Sequence, residues 1–137
     1  MKKLCVVLGI VLIVIIGFLV SNYSVELSHD NVGFLEIDRG GQPSMMGLEE
    51  ENVEYLTDDL HQLTFHLSII KPKTLDTAKF DIYVRNKSGK GIGVVRVYDE
   101  TNISYKKSVL GLFSLEYQAK GASLDLEKLS QLSLLSE

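Results

Sequence analysis

The sequence is poor in cysteine and proline. Among its 137 residues are one cysteine and two prolines. The cysteine, Cys5, lies in an apolar segment at the start of the sequence, so the remaining residues contain no thiol for a disulfide, a zinc–thiolate site or thiol catalysis. Cys5 also comes near the start of that segment, whereas a lipoprotein cysteine follows it. Few prolines and 45% hydrophobic residues are typical of a folded rather than a disordered chain.

Charged side chains are absent from residues 4–20. These seventeen residues would form about 25 Å of helix, which is the low end of what spans a bilayer and the high end of a signal-peptide core. Lys2 and Lys3 precede the segment, and the next basic residue is Arg39. The positive-inside rule therefore predicts a cytoplasmic N-terminus and export of the remainder.

Small residues at positions −3 and −1 of a signal-peptidase site are also lacking. Cleavage after Ser21 would place Leu19 at −3, and cleavage after Gly17 would place Ile15 there. We therefore predict a retained single-pass anchor through residues 4–20, with secretion after cleavage as the alternative. A buried helix of a soluble protein is disfavoured because the segment has no polar face.

The remaining residues suffice for one domain with one core. We divide the chain into a signal-anchor helix (1–21), a short polar tether leading into a first strand (22–30), and an extracytoplasmic α+β domain (31–137). A loop containing Gly, Pro and Ser is predicted at 40–47, and a turn is predicted at 71–77.

Hydrophobic periodicity supplies the elements of the domain. Apolar residues alternate with polar ones in strands and recur every three or four positions in helices. The predicted elements are strands at 31–39, 63–69, 80–85 and 92–98, two further strand segments at 103–107 and 112–118, and helices at 49–61 and 123–135, the last capped by Ser123. The prediction is a small antiparallel sheet with two helices on one face, in the order β-α-β-β-β-α.

Three glycines, Gly89, Gly91 and Gly93, invite comparison with a phosphate-binding loop. That loop has a Gly-Lys-Ser/Thr ending and lies between a strand and a helix. Here Lys90 is followed by glycine, and strand patterns lie on both sides. The glycines therefore predict a β-hairpin turn.

No recognised catalytic or metal-binding spacing is found. His29, His61 and His66 lack the spacing of metal ligands on one helix or strand, and the acidic residues of 49–59 lack the order of a calcium loop. Nucleophile-elbow and zinc-protease motifs are missing. The sequence predicts no enzyme and no catalytic, cofactor-binding or metal-binding residue, although a triad or a carboxylate pair assembled only in space leaves no sequence pattern.

Charge is unevenly distributed. Residues 22–64 hold ten acidic residues and one basic residue, whereas residues 65–120 hold ten basic and five acidic residues. The bases can protect sheet edges or contact anionic envelope polymers or lipid head groups. A pI of about 5.4 and the predicted export disfavour nucleic acid. Two partner-binding surfaces are predicted, one on the acidic helix and one on the sheet: Glu50, Glu54 and Asp58; Tyr83, Arg85 and Arg96.

Three segments carry a resemblance, namely MKKLCVVLGIVLIVIIGFLV (1–20), EEENVEYLTDDLHQL (49–63) and FDIYVRNKSGKGIGVVRVYD (80–99). Together they resemble small uncharacterised α+β proteins of Gram-positive bacteria that are anchored or exported through an N-terminal segment. The resemblance implies a membrane location and assigns no functional residue.

The function predicted from these features is a membrane-tethered extracytoplasmic binding or interaction module without a cofactor, with a membrane or cell-envelope protein as partner. One alternative is an exported inhibitor or immunity-type protein, and another is a small envelope hydrolase. Clustering of Glu50, Glu54 and Asp58 with His66 in a concave pocket would favour the hydrolase.

Overall fold

The computed structural model describes residues 1–39, 47–68, 77–109 and 111–135. For Leu135 it describes the backbone alone. The predicted loop at 40–47 and the predicted turn at 71–77 therefore lie almost entirely outside the described residues. The elements in chain order are α1 (Lys2–Ser21), β1 (Ser24–Val25), β2 (Phe34–Arg39), α2 (Glu50–His61), β3 (Thr64–Leu67), β4 (Phe80–Arg85), β5 (Gly91–Val97), β6 (Ile103–Val109), β7 (Phe113–Lys120) and α3 (Leu126–Leu135).

Helix α1 is apolar on all sides, and none of its residues is buried. Its 20 residues give about 30 Å of helix, which matches the hydrocarbon thickness of a bilayer. Among the described residues, α1 is the one helix that is long and apolar enough to cross a membrane. α1 can therefore serve as a membrane anchor or as a signal sequence.

The seven strands form one antiparallel sheet in the order β1-β3-β7-β6-β5-β4-β2. Strands β4 to β7 are joined consecutively, and β3 adds to the free side of β7. The predicted hairpin at the glycines joins β4 to β5, and Gly89 adopts the left-handed conformation in its turn, at φ 83°. The α+β class with an N-terminal apolar helix is confirmed.

The sheet must be curled, because residues 26–33 connect its two opposite edges. Six spacings between seven flat strands would cover about 29 Å, close to the reach of a fully extended segment of this length. The segment is not extended, since the Val32 amide donates to the Ser28 carbonyl. The edges therefore approach each other around the core, and Leu27 and Val32 within the segment are buried.

One face of the sheet, here called the inner face, packs against α2 and α3. In α2 the buried residues Val53, Leu56 and Leu60 follow helical spacing. In α3, Leu129 and Leu132 join the same cluster. The strands contribute Leu35, Ile37, Phe65, Ile82, Val95, Val97, Ile103, Tyr105 and Tyr117. One core therefore holds both helices on one face of the sheet, as predicted.

The two helices also contact each other directly. Lys128 of α3 donates to the carboxylate of Asp59 in α2, and its ammonium lies 3.1 Å from the ring centroid of Tyr55. Burial lowers the pKa of Lys128, but the hydrogen bonds to Asp59 and Tyr55 and the charge of Asp59 together outweigh it, so the pKa is raised. The contact therefore joins α3 to α2 through one side chain.

Three details differ from the sequence prediction. Five strands lie between α2 and α3, so the order β-α-β-β-β-α has too few strands; the segments at 103–107 and 112–118 are full strands, β6 and β7. The predicted tether of 22–30 contains β1 and the buried Leu27. Asp125 rather than Ser123 caps α3, because its carboxylate accepts from the amides of Glu127 and Lys128.

Candidate functional site

The face of the sheet opposite α2 and α3, here called the outer face, carries the predicted residues Tyr83, Arg85 and Arg96. Alternation along β4 sends Phe80, Ile82 and Val84 to the core and the intervening residues outwards. The same alternation along β5 buries Val95 and Val97 and leaves Arg96 half-buried outside. The structure therefore brings the three residues of the predicted sheet surface together.

A row of polar side chains crosses the outer face on all seven strands. Each member is paired in register with the next, so the row follows from the strand pairing and not from any sequence motif. Its members from one edge to the other are Asp38, Asp81, Arg96, Ser104, Gln118, His66 and Ser24. We call this set the polar row.

At one end of the polar row, two acidic side chains and one basic side chain lie next to one another. Asp81 faces Asp38 on one side and Arg96 on the other, with 3.7 Å between the Arg96 Nε and the Asp81 Oδ1. Burial raises the pKa of Asp81, the Asp38 carboxylate raises it further, and the Arg96 guanidinium partly opposes both. The ionic pairing at this point is therefore incomplete.

Four residues of the polar row have a buried polar atom without a hydrogen-bond partner in the described part of the chain. These atoms are His66 Nδ1, Asp81 Oδ1, Arg96 Nε and Gln118 Oε1. Buried polar atoms in native proteins are normally hydrogen-bonded, and leaving one unpaired costs about 1–3 kcal/mol. Two of these atoms, Asp81 Oδ1 and Arg96 Nε, face each other as an ion pair too long for a hydrogen bond, so the buried polar groups of the row are incompletely satisfied.

Beside the polar row lies a groove of about 390 Å³. Its cationic lining consists of Arg85, Arg96 and Lys106, and its hydroxyl lining of Tyr83, Ser108 and Ser114. We call it the cationic groove. Among the described residues that line the cationic groove, every side chain that is charged at neutral pH is positive.

Carboxylates lie around the cationic groove rather than in its lining. The Glu36 carboxylate is 3.3 Å from the Arg85 Nε, and Glu116 faces Lys106 across the β6–β7 pair. Burial and the nearby Asp38 carboxylate, to which Tyr83 hydrogen-bonds, raise the pKa of the Tyr83 hydroxyl. Tyr83 is therefore a neutral hydrogen-bonding group at physiological pH.

The predicted acidic surface occupies a different place. Glu50 and Glu54 line a cleft of about 580 Å³ between α2 and the start of β2, together with His29 and Lys87. Asp58, one turn further along α2, is 2.7 Å from the Nε2 of His29. His66 belongs to the polar row and not to this cleft, so the clustering that would have favoured a hydrolase is not formed.

No group of three or more His, Cys, Asp or Glu side chains is placed to hold a metal ion among the described residues. The cleft on the helix side holds acids beside one histidine and one lysine, while the cationic groove offers cations and hydroxyls. Of the two predicted surfaces, the groove has the lining of a binding site for anionic groups.

Sequence reasoning did not identify Asp38, Ser104 or Gln118 as members of a site. Each is a polar residue on the outward-facing positions of a strand, which is the only signal the sequence offers. Their alignment depends on strand register, and register is a property of pairing between segments far apart in sequence.

Comparison of the chain with protein-family models, with curated proteins and with solved structures finds no match.

Proposed function

We propose that this chain is a single-pass membrane protein whose domain lies outside the cytoplasm and binds an anionic partner at the membrane surface through the cationic groove. The observation that carries the proposal is the short connection between α1 and the sheet. α1 ends at Ser21 and β1 begins at Ser24, so two residues separate the apolar helix from the edge strand.

Those two residues are themselves held. The Tyr23 carbonyl accepts from the Leu67 amide at 2.7 Å, and the Tyr23 ring packs against His66 with centroids 5.5 Å apart. The Asn22 Oδ1 accepts from the Lys107 Nζ at 3.3 Å. A domain joined in this way stays next to the membrane, and its partner must be found there too.

The orientation follows from charge. Lys2 and Lys3 precede the apolar segment, and cytoplasmic flanks of membrane helices are enriched in lysine and arginine. The domain is then exported with the groove outside the cell membrane. Retention of α1 makes it a tethered binding module, whereas cleavage would release an inhibitor-like or immunity-type protein.

The groove supplies the chemistry of recognition. Guanidinium groups bind carboxylates and phosphates in a bidentate manner, and the Lys106 ammonium adds a third positive charge. The hydroxyls of Tyr83, Ser108 and Ser114 can donate further hydrogen bonds. An anionic polymer or an acidic protein surface matches this lining.

Topology is tested by cysteine labelling, which the sequence makes simple because Cys5 is its single cysteine. In a Cys5→Ser background, Thr101→Cys in the exposed β5–β6 turn should react with a membrane-impermeant maleimide in intact cells. A cysteine inserted between Met1 and Lys2, which leaves both lysines in place, should react only after lysis. Labelling in the reverse order would contradict the proposed orientation, and a shortened protein in the medium would indicate release.

Binding is tested on the full chain in nanodiscs of zwitterionic lipid, with inorganic polyphosphate as the anionic probe and calorimetry as the measurement. The variant Arg85→Gln/Arg96→Gln/Lys106→Gln should lose most of the affinity. A matched control, Lys79→Gln/Lys90→Gln/Lys120→Gln, removes the same charge from exposed positions outside the groove. Equal losses in both variants, or no binding by the unmodified chain, would contradict a groove site for anions.

A further inference from the structure

We propose that the turn between β6 and β7 inserts into the lipid surface beside α1 and forms a second membrane contact of the domain. The residues concerned are Gly111, Leu112 and Phe113, here called the β6–β7 tip. The inference rests on the proposed function in one respect, namely that α1 is retained as a membrane anchor.

The depth of the tip follows from its contact with α1. The rings of Phe18 and Phe113 pack with centroids 6.2 Å apart and planes tilted by 58°. Phe18 lies three residues before the end of α1, which is about 4.5 Å along the helix axis. When α1 spans the bilayer, Phe18 is in the outermost part of the hydrocarbon, and Phe113 lies at a similar depth.

The exposure of the tip is otherwise unexplained. Leu112 is 81% exposed, the highest value of any large hydrophobic side chain described after Ser21, and Phe113 is 50% exposed. Two neighbouring apolar side chains at the end of a hairpin meet the description of an interaction site rather than scattered surface residues. Phe113 packs against the apolar helix α1 and Leu112 is its neighbour in the chain, so the lipid beside that helix is the occupant that would cover both.

The tip has a defined conformation. The Leu112 amide donates to the Val109 carbonyl at 3.1 Å, and Val109 pairs with Phe113. Gly111 has a φ of 70°, a backbone conformation that glycine adopts readily and residues with a Cβ atom rarely adopt. Residues 111–113 therefore present Leu112 and Phe113 outwards in a defined conformation, and ordering them costs little on insertion.

Polar groups lie where the lipid head groups would be. Lys107, close behind the tip on β6, donates to Asn22 just after α1. Ser108 and Ser114, the paired residues one register step from Val109 and Phe113, line the cationic groove. Two membrane contacts, α1 and the tip, then fix the tilt of the sheet and place that end of the groove against the head groups.

The test uses tryptophan fluorescence, since the sequence contains no tryptophan and each variant carries a single one, which is excited at wavelengths that the tyrosines do not absorb. The full chain is reconstituted in phosphatidylcholine vesicles whose acyl chains are brominated either near the ester end or near the methyl end. The variants are Leu112→Trp at the tip, Leu19→Trp in α1, and Tyr98→Trp at the opposite end of the sheet.

Leu112→Trp should show blue-shifted emission and lose a fraction of its emission comparable with that of Leu19→Trp, with bromines near the ester end quenching most. Tyr98→Trp should remain unquenched. Quenching of Leu19→Trp without quenching of Leu112→Trp would overturn the tip insertion and leave the anchor intact. A blue shift of Leu112→Trp without quenching would mean that protein covers the tip, which also overturns the inference. An unquenched Leu19→Trp would overturn the anchor and the tip insertion together.

Discussion

The two faces of the sheet are made from the same strands and yet follow opposite rules. On the inner face, the buried side chains of α2, α3 and the strands fill one core. On the outer face, the polar row crosses all seven strands, and four of its buried polar atoms have no hydrogen-bond partner within the described residues, two of them forming the Asp81–Arg96 ion pair. The inner face is almost wholly apolar, with the Tyr117 hydroxyl as a polar atom unsatisfied in the described part of the chain, whereas the outer face concentrates polar and charged side chains of the kind that binding uses.

The comparison also explains why the outer face is the better candidate site. Substitutions on the inner face are costly to stability, because the core is closely packed and removal of a methyl group opens a cavity. Polar residues on the outer face contribute less to stability, and surface ion pairs contribute about 0–1 kcal/mol. Substitutions on the two faces should therefore separate stability from binding, and the expected effects can be ranked.

The largest effect is expected where α3 meets the core. Leu129 is buried, so Leu129→Ala should lower the free energy of unfolding by about 2–5 kcal/mol through lost burial and a residual cavity. Leu134 on the same helix is 55% exposed, and Leu134→Ala should change stability by less than about 0.5 kcal/mol. Chemical denaturation measures both. Equal values for the two variants would show that α3 is not packed on the sheet.

A smaller loss of stability is expected at Gly93, where the absence of a side chain makes room for the Tyr105 ring on the inner face. A Cβ at Gly93 would lie 2.5 Å from the Tyr105 ring and 2.6 Å from the Lys106 carbonyl oxygen. Gly93→Ala should therefore cost about 1–3 kcal/mol through overpacking. Gly91, two residues earlier, has open space at its Cβ position, so Gly91→Ala is the matched control. A neutral Gly93→Ala variant would mean that Tyr105 moves aside freely.

Two core tyrosines should respond in opposite directions to loss of the hydroxyl. The Tyr117 hydroxyl is buried without a hydrogen-bond partner among the described residues, so Tyr117→Phe should stabilise the protein by about 1 kcal/mol. The Tyr105 hydroxyl donates to the Ile92 carbonyl at 3.3 Å, and Tyr105→Phe should destabilise by about 0.5–1.5 kcal/mol. Thermal unfolding of both variants checks the signs, and the same sign for both would contradict this assignment.

The smallest effect concerns protonation on the outer face. Since burial and Asp38 raise the pKa of Asp81 above its ordinary value of 3.8, ionised Asp81 costs stability at neutral pH. That cost is lost as the pH falls through the raised pKa. Carboxyl titration by NMR should give a still higher pKa for Asp81 in Arg96→Gln and a lower one in Asp38→Asn. An unchanged pKa in both variants would mean that the three charges do not interact.

Most of the secondary structure was predictable because it depends on local periodicity. The helical spacing of Val53, Leu56 and Leu60 and the alternation of Phe80, Ile82 and Val84 are visible without any tertiary information. The capping of α3 was placed two residues too early, since Ser123 and Asp125 are both good capping residues and only the observed backbone decides between them.

The candidate site was predictable in part. Tyr83, Arg85 and Arg96 were assigned to one sheet surface because alternation alone puts them on the same side of β4 and β5. Their neighbours Asp38, Gln118 and Ser114 come from strands whose position in the sheet no local pattern specifies. The contact between Phe18 and Phe113 is similarly non-local, and no feature of either segment predicts it.

By itself, the sequence determined the apolar helix, the period of each element and the side of each strand that is buried, because these depend on neighbouring residues and on transfer of side chains from water. Tertiary structure alone decided the strand order, the register that aligns the polar row, and the short joint between α1 and β1. Those features arise from pairing and packing between distant segments, where a shift of one residue would leave the local pattern unchanged and reverse the face of every side chain.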